Sequence, residues 1–169
     1  ASAPQGSFGI SAEAEYDVFV ANSGSITATA VDGSSTGINA VSYDGDVTVY
    51  NSGDFVVSGI DATGIYTYST YGDISISNTG DLRATGVNGA RGISAGTDEY
   101  DSDITISNSL NTIVASASTT GEAYGIYAYS DGSGDIGITS SGVITATGGN
   151  AYGIYAASDN DNSYYGESG

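Results

Sequence analysis

The sequence predicts an all-β chain: a right-handed parallel β-helix, or β-solenoid, of about five three-strand coils plus a partial N-terminal coil. The first sign is repetition. One three-part phrase starts at Asp17, Asp46, Asp73, Asp103 and Asp135, so successive copies lie 29, 27, 30 and 32 residues apart. Each copy runs from Asp through alternating aliphatics, Asn-Ser/Thr-Gly or a variant, a short apolar step, then Gly-Ile-x-Ala or a variant. Repeats of this length are single supersecondary units that bury their apolar side only by stacking on a neighbour. The second sign is period-2 alternation inside each copy, which belongs to strands. The third is 26 Gly with a single Pro, Pro4: many tight corners and uninterrupted strands.

The first strand of each coil supplies the inward pairs Val18/Val20, Val47/Val49, Ile74/Ile76, Ile104/Ile106 and Ile136/Ile138. Continuing the parity brings Asn22, Asn51, Asn78 and Asn108 to one corner, with Ser140 in the fifth copy. Stacked amides hydrogen-bond along the stack, so these asparagines are predicted to form a structural ladder. Gly24, Gly53, Gly80 and Gly142 follow, and are expected to turn the chain through positive φ. The second strand supplies Ile26/Ala28, Phe55/Val57, Leu82/Ala84, Ile113/Ala115 and Ile144/Ala146. The third carries Gly-Ile at 37–38, 64–65, 92–93, 125–126 and 153–154, where small residues let a narrow cross-section close. Parallel crossovers are overwhelmingly right-handed, hence the predicted hand. Coils about 4.8 Å apart give a rod on the order of 24 Å long.

Gly9-Ile10-Ser11-Ala12 fits the third-strand phrase in phase, so the array is assigned to 9–156 and begins inside a coil. Residues 1–8 are a leading segment, with Ala1-Ser2-Ala3 like the end of a cleaved export signal. Residues 157–169 are a polar acidic tail or the start of another coil. Uncapped coil ends template further strands, so the pattern predicts either a segment of a longer array or end-to-end stacking into a filament.

Net charge is −18, with Arg83 and Arg91 the only cations. Such a surface repels phosphates and anionic lipid, which excludes nucleic acid as a partner. No apolar run is long enough for a transmembrane helix. Without Cys, His or Lys the chain has no thiolate, imidazole or Schiff-base chemistry. No Asn-x-Ser/Thr acceptor is present.

The phrases Asn78-Thr79-Gly80-Asp81-Leu82-Arg83-Ala84-Thr85-Gly86 and Ser141-Gly142-Val143-Ile144-Thr145-Ala146-Thr147-Gly148, running on to Gly153-Ile154-Tyr155-Ala156, resemble passenger repeats of bacterial autotransporter-type surface proteins. That resemblance implies a secreted or surface-displayed right-handed β-helix serving adhesion, aggregation or presentation. It maps no catalytic residue onto this chain, and the family's C-terminal barrel has no counterpart here.

Acidic residues gather where the third strand hands over to the next first strand: Glu13, Glu15, Asp17, Asp44, Asp46, Asp73, Asp98, Glu99, Asp101, Asp103, Asp131, Asp135, Asp159, Asp161 and Glu167. Tyr16, Tyr43, Tyr71, Tyr100, Tyr164 and Tyr165 accompany them. Carboxylates one coil apart repel by roughly 0.8 kcal/mol in water-like dielectric. The edge has two readings: a solvated ridge that keeps a rod soluble, or a calcium site. For calcium, oxygen ligands would come from Asp17, Asp44, Asp46, Asp73, Asp101, Asp103, Asp131 and Asp135. Neither an EF-hand loop nor a Gly-rich calcium repeat is present. Cation bridging would also favour lateral self-association.

Outward Tyr66, Tyr127 and Tyr155 share a file with Asn39 and Ser94, a candidate surface for stacking on a sugar, on a partner rod or on another cell's polysaccharide. The pairs Thr27/Thr29 and Thr145/Thr147 suggest an ice-binding array, but Val56/Ser58 and Arg83/Thr85 interrupt it. A polysaccharide-acting β-helix enzyme needs a cleft and a placed carboxylate pair. Arg83 near Asp54 and Asp81 is the one such cluster, and the connections are too short to wall it. The sequence therefore predicts a non-enzymatic structural or adhesive solenoid, a building block of a surface filament.

Overall fold

The computed structural model describes residues 2–3, 6–98 and 101–159. Among the described residues fifteen strands follow one another without a helix: β1 (Ser2–Ala3), β2 (Gly6–Ala14), β3 (Val18–Asn22), β4 (Ile26–Ala30), β5 (Ser34–Ser42), β6 (Val47–Asn51), β7 (Phe55–Ser69), β8 (Ile74–Asn78), β9 (Leu82–Thr97), β10 (Ile104–Asn108), β11 (Thr112–Ser116), β12 (Glu122–Ser130), β13 (Ile136–Ser140), β14 (Val143–Thr147) and β15 (Asn150–Ser158). Every pairing among the described residues is parallel and joins equivalent segments of successive coils. The first strands make a five-stranded sheet in the order β13-β10-β8-β6-β3. Second and third strands form the other, ten-stranded sheet.

Register follows the repeat. Val18, Val47, Ile74, Ile104 and Ile136 form one vertical file, and Ile38, Ile65, Ile93, Ile126 and Ile154 another. Alternate residues of β3, β6, β8 and β10 are buried. The core between the sheets is therefore a set of aliphatic stacks, with Phe55 its largest fully buried side chain. Burying such side chains stabilises by about 1.5–3 kcal/mol each.

In the second and third full coils, second and third strands run on as the single strands β7 and β9, with a register shift between Gly59 and Asp61. The corner there is a bend rather than a break. A Cβ on Gly86 would lie 1.8 Å from the Gly89 carbonyl oxygen, so only glycine permits the tight bend. The first pattern-assigned residue of the array is Gly9, whereas β2 begins at Gly6 and β1 lies against Thr29 and Ala30.

One sequence expectation is corrected. No described glycine has positive φ; only Asp101 and Leu110 do, at 66° and 62°. Three of the corner glycines, Gly53, Gly80 and Gly142, serve close approach instead. A Cβ on Gly53 would sit 2.0 Å from the Gly24 carbonyl oxygen, and one on Gly80 2.1 Å from that of Gly53. Leu110 is the extra residue that lengthens the fourth coil, and it stands out at 93% exposure. Asn111 takes the place of the corner glycine beside Gly80, and its amide donates to the Gly80 carbonyl at 2.6 Å.

Among the described residues β13, β14 and β15 pair on one side only, as do β2 and β3. The core file shows the consequence: Ile154 is 48% exposed where Ile126, one coil earlier, is fully buried. Pro4, Glu99, Tyr100, Asp161, Tyr164, Tyr165 and Glu167 lie outside the described residues.

Candidate functional site

Three side-chain systems run along the rod, each built by the coil-to-coil register. At the corner after the first strand, the Asn22 amide donates to Asn51 Oδ1 at 2.8 Å, Asn51 to Asn78 at 2.7 Å and Asn78 to Asn108 at 2.9 Å. Asn108 closes the run on the Ser140 hydroxyl at 3.1 Å. Each of the first three amides also donates to the carbonyl two residues on, that of Gly24, Gly53 or Gly80. An amide carries both donor and acceptor, so the pattern propagates itself and leaves buried groups paired.

On the opposite edge, Asp17, Asp46, Asp73, Asp103 and Asp135 form a second file. Asp17 Oδ1 accepts the backbone N–H of Asp46 at 3.0 Å, and the step repeats to Asp73, Asp103 and Asp135 at 3.0, 2.8 and 2.7 Å. A shorter aspartate ladder uses Asp54 and Asp81, whose Oδ1 atoms accept the N–H groups of Asp81 and Thr112. These carboxylates hold coils in register through charge-assisted bonds. Two further candidate ligands carry side-chain hydrogen bonds: Asp101 accepts from Ser133 at 2.9 Å and Asp131 from Tyr129 at 3.2 Å. Asp44 donates its backbone N–H to the Glu15 carbonyl at 2.6 Å. Among the described residues no three carboxylates converge where they could hold a metal ion.

The third system is aromatic. Tyr66, Tyr127 and Tyr155 lie in one file with Asn39 and Ser94. Tyr127 and Tyr155 stack on each other, 5.3 Å between centroids and 5° between planes. The neighbouring file holds Thr63, Arg91, Tyr124 and Tyr152, a grouping the sequence reading did not make. Tyr124 and Tyr152 stack at 5.2 Å and 9°, and the Arg91 guanidinium lies over Tyr124 and Tyr127 at 5.5 and 5.4 Å. Arg91 Nε is buried without a hydrogen-bond partner, which leaves the rings as its company. Period-2 parity hid this cluster because the Gly-Ile step breaks it: Ala123 and Ile126 both point inward, so Tyr124 and Tyr127 share the outer face.

Four phenols, those of Tyr66, Tyr68, Tyr124 and Tyr129, are harder to ionise than usual. Burial pushes Tyr66 up, against the pull of Arg91, with Asp98 adding to the rise. Tyr68 is raised to about 12 by burial and by its hydrogen bond to Asp98. Tyr124 and Tyr129 are raised by burial, and by Glu122 and Asp131 respectively. Arg83, the cation of the enzyme reading, faces outward from the second strand in the file of Val56 and Val114.

The architecture defines a class: a parallel β-solenoid of about five turns, its polar corner residues spent on joining one turn to the next. Comparison with protein-family models, with curated proteins and with solved structures found no match.

Proposed function

We propose that the chain is a non-enzymatic, extracellular structural and adhesive β-solenoid, a building block of a cell-surface filament. The observation that carries this reading is the fit between β15 and β2. Both are nine-residue third strands that, among the described residues, pair on one side only. Aligned on the Gly-Ile step, the β15 edge would meet a second copy's β2 with Ile154 against Ile10, Ala156 against Ala12 and Tyr152 against Phe8. Phe8 is 54% exposed and Tyr152 44%, so the contact would cover aromatic as well as aliphatic surface. Parallel pairing in that register repeats what every internal coil does, and open edges of this kind recruit strands. In a longer array the flanking coils would meet the same edges.

A right-handed winding is expected from general crossover preference, and passenger-type display outside the cell accords with the resemblance of the repeats. Support for a non-catalytic role comes from the ladders: the aspartates of the edge hold backbone N–H groups instead of lining a cleft. Electron microscopy and sedimentation of the purified chain test assembly. The expected result is fibres one solenoid wide, abolished by Ile10→Asp or Ile154→Asp. Monomers at all concentrations would refute it.

A further inference from the structure

The five-stranded sheet is chemically unlike the rest of the molecule. None of its strands contains Asp, Glu, Lys or Arg, although the chain carries a net charge of −18. Its outer face offers hydroxyls and two large rings, Phe19 at 67% exposure and Tyr50 at 50%. Their centroids are 5.7 Å apart and their planes inclined at 55°, so neither ring covers the other's face as the stacked tyrosines of the ten-stranded sheet do.

Beside Tyr50 opens a groove of about 330 Å³, lined among others by Ala21, Ser23, Ser52, Ser77 and Thr79. Register explains the arrangement: Ala21, Tyr50 and Ser77 occupy one outward file, so a small residue and a short hydroxyl flank the ring. The groove's Asn22 and Asn51 amides are committed to the corner ladder. Ser52 and Thr79 make only long contacts of 3.5 Å to backbone carbonyls, which leaves their hydroxyls available to a ligand. The volume lies at the low end for small-molecule sites.

We propose that this groove binds a neutral saccharide. A pyranose presents an apolar C–H face and a rim of hydroxyls, and the groove presents the Tyr50 ring and Ala21 together with the hydroxyls of Ser23, Ser52, Ser77 and Thr79. Tyrosine gives that contact large area at little entropic cost. Charge selects the class. Both arginines sit in β9 of the other sheet, so a uronate or sulfated sugar would find no cation in the groove and would meet the field of an acidic rod. The inference deepens the adhesive half of the proposed function and rests on it.

The test uses cello-, malto- and mannotetraose as neutral probes and a polygalacturonate oligomer as the anionic one, read by saturation-transfer NMR and by titration. At least one neutral probe should bind, and Tyr50→Ala should weaken it about tenfold. Tyr50→Phe keeps the ring and should stay within about threefold of the parent. Tyr43→Ala removes an equally exposed tyrosine from the acidic edge and should change nothing. The proposal is overturned if no neutral probe binds, if the anionic oligomer binds best, or if folded Tyr50→Ala binds like the parent. Equal loss in Tyr43→Ala would overturn it too. Fibre formation is scored on the same samples: fibres without sugar binding sink the groove alone, and sugar binding without fibres sinks the assembly alone.

Discussion

The asparagine corner and the aspartate edge solve one problem with two chemistries. Both bind each coil to the next through a side chain, across separations of 27 to 32 residues. Asn51, Asn78 and Asn108 do so at 2%, 0% and 1% exposure, whereas the aspartates of the opposite edge are exposed. An amide both gives and receives, so it can be buried and still be satisfied. A carboxylate only receives, so it must borrow a backbone N–H and keep its charge near water. The two residues are nearly isosteric, yet each corner admits one of them.

Exchanging them should break that comparison most severely. Asn78→Asp places a carboxylate in a fully buried file and removes the donor to Asn108 and Gly80. A loss of about 3–5 kcal/mol is expected, the usual cost of an uncompensated buried charge. Burial would raise the folded-state pKa of the new carboxyl, so the deficit should shrink as pH falls and grow as it rises. Urea melts at acid and neutral pH measure both; a small, pH-independent loss would contradict the picture.

Next in size is the spacing of the asparagine corner. Gly53→Ala drives a methyl into the Gly24 carbonyl and should cost about 1–3 kcal/mol as overpacking. In Gly24→Ala the nearest contact is Asn22 Oδ1 at 3.9 Å, so that variant should melt close to the parent. Equal melting temperatures for the two would mean that close approach is not what the glycine supplies.

The aspartate edge should respond weakly. Asp73→Asn keeps an oxygen for the Asp103 N–H and relieves repulsion from Asp46 and Asp103, so stability should be unchanged or rise by about 0.5 kcal/mol at low salt. Asp73→Ala removes the acceptor and should cost about 1 kcal/mol. Denaturation at two ionic strengths separates the terms, because only the gain from charge removal fades with salt.

Much of this was legible from the repeat alone. Once Asp17, Asp46, Asp73, Asp103 and Asp135 are superimposed, strand order, inward files and the corner position of Asn22, Asn51 and Asn78 follow from period-2 parity. What parity could not supply lies where the backbone departs from it. The Gly-Ile step puts Tyr124 and Tyr127 on one face, and Gly53, Gly80 and Gly142 at the asparagine corner are explained by contacts one coil away rather than by their own φ. The groove beside Tyr50 was invisible for another reason: it joins residues from three coils whose individual phrases are unremarkable Ser and Thr. The repeat alone puts Asp17, Asp46, Asp73, Asp103 and Asp135 in one file, but their backbone partners depend on hydrogen-bond geometry that composition does not encode.

The smallest expected effect concerns the carboxylate and phenol at the border of the tyrosine face. Tyr68 donates its hydroxyl to Asp98, and its pKa is raised from 10.0 to about 12. A group whose folded-state pKa is raised adds stability that is complete below the unfolded value and is lost as pH climbs through the folded one. The Tyr68 contribution should therefore be intact up to about pH 10 and vanish by about pH 12. Tyr68→Phe should be slightly less stable than the parent at neutral pH, and the gap should close across that window. Phenolate absorbance followed through the same range should show one fewer late-titrating group in the variant. A gap that stays constant with pH would mean that Asp98 contributes nothing specific to the protonated phenol.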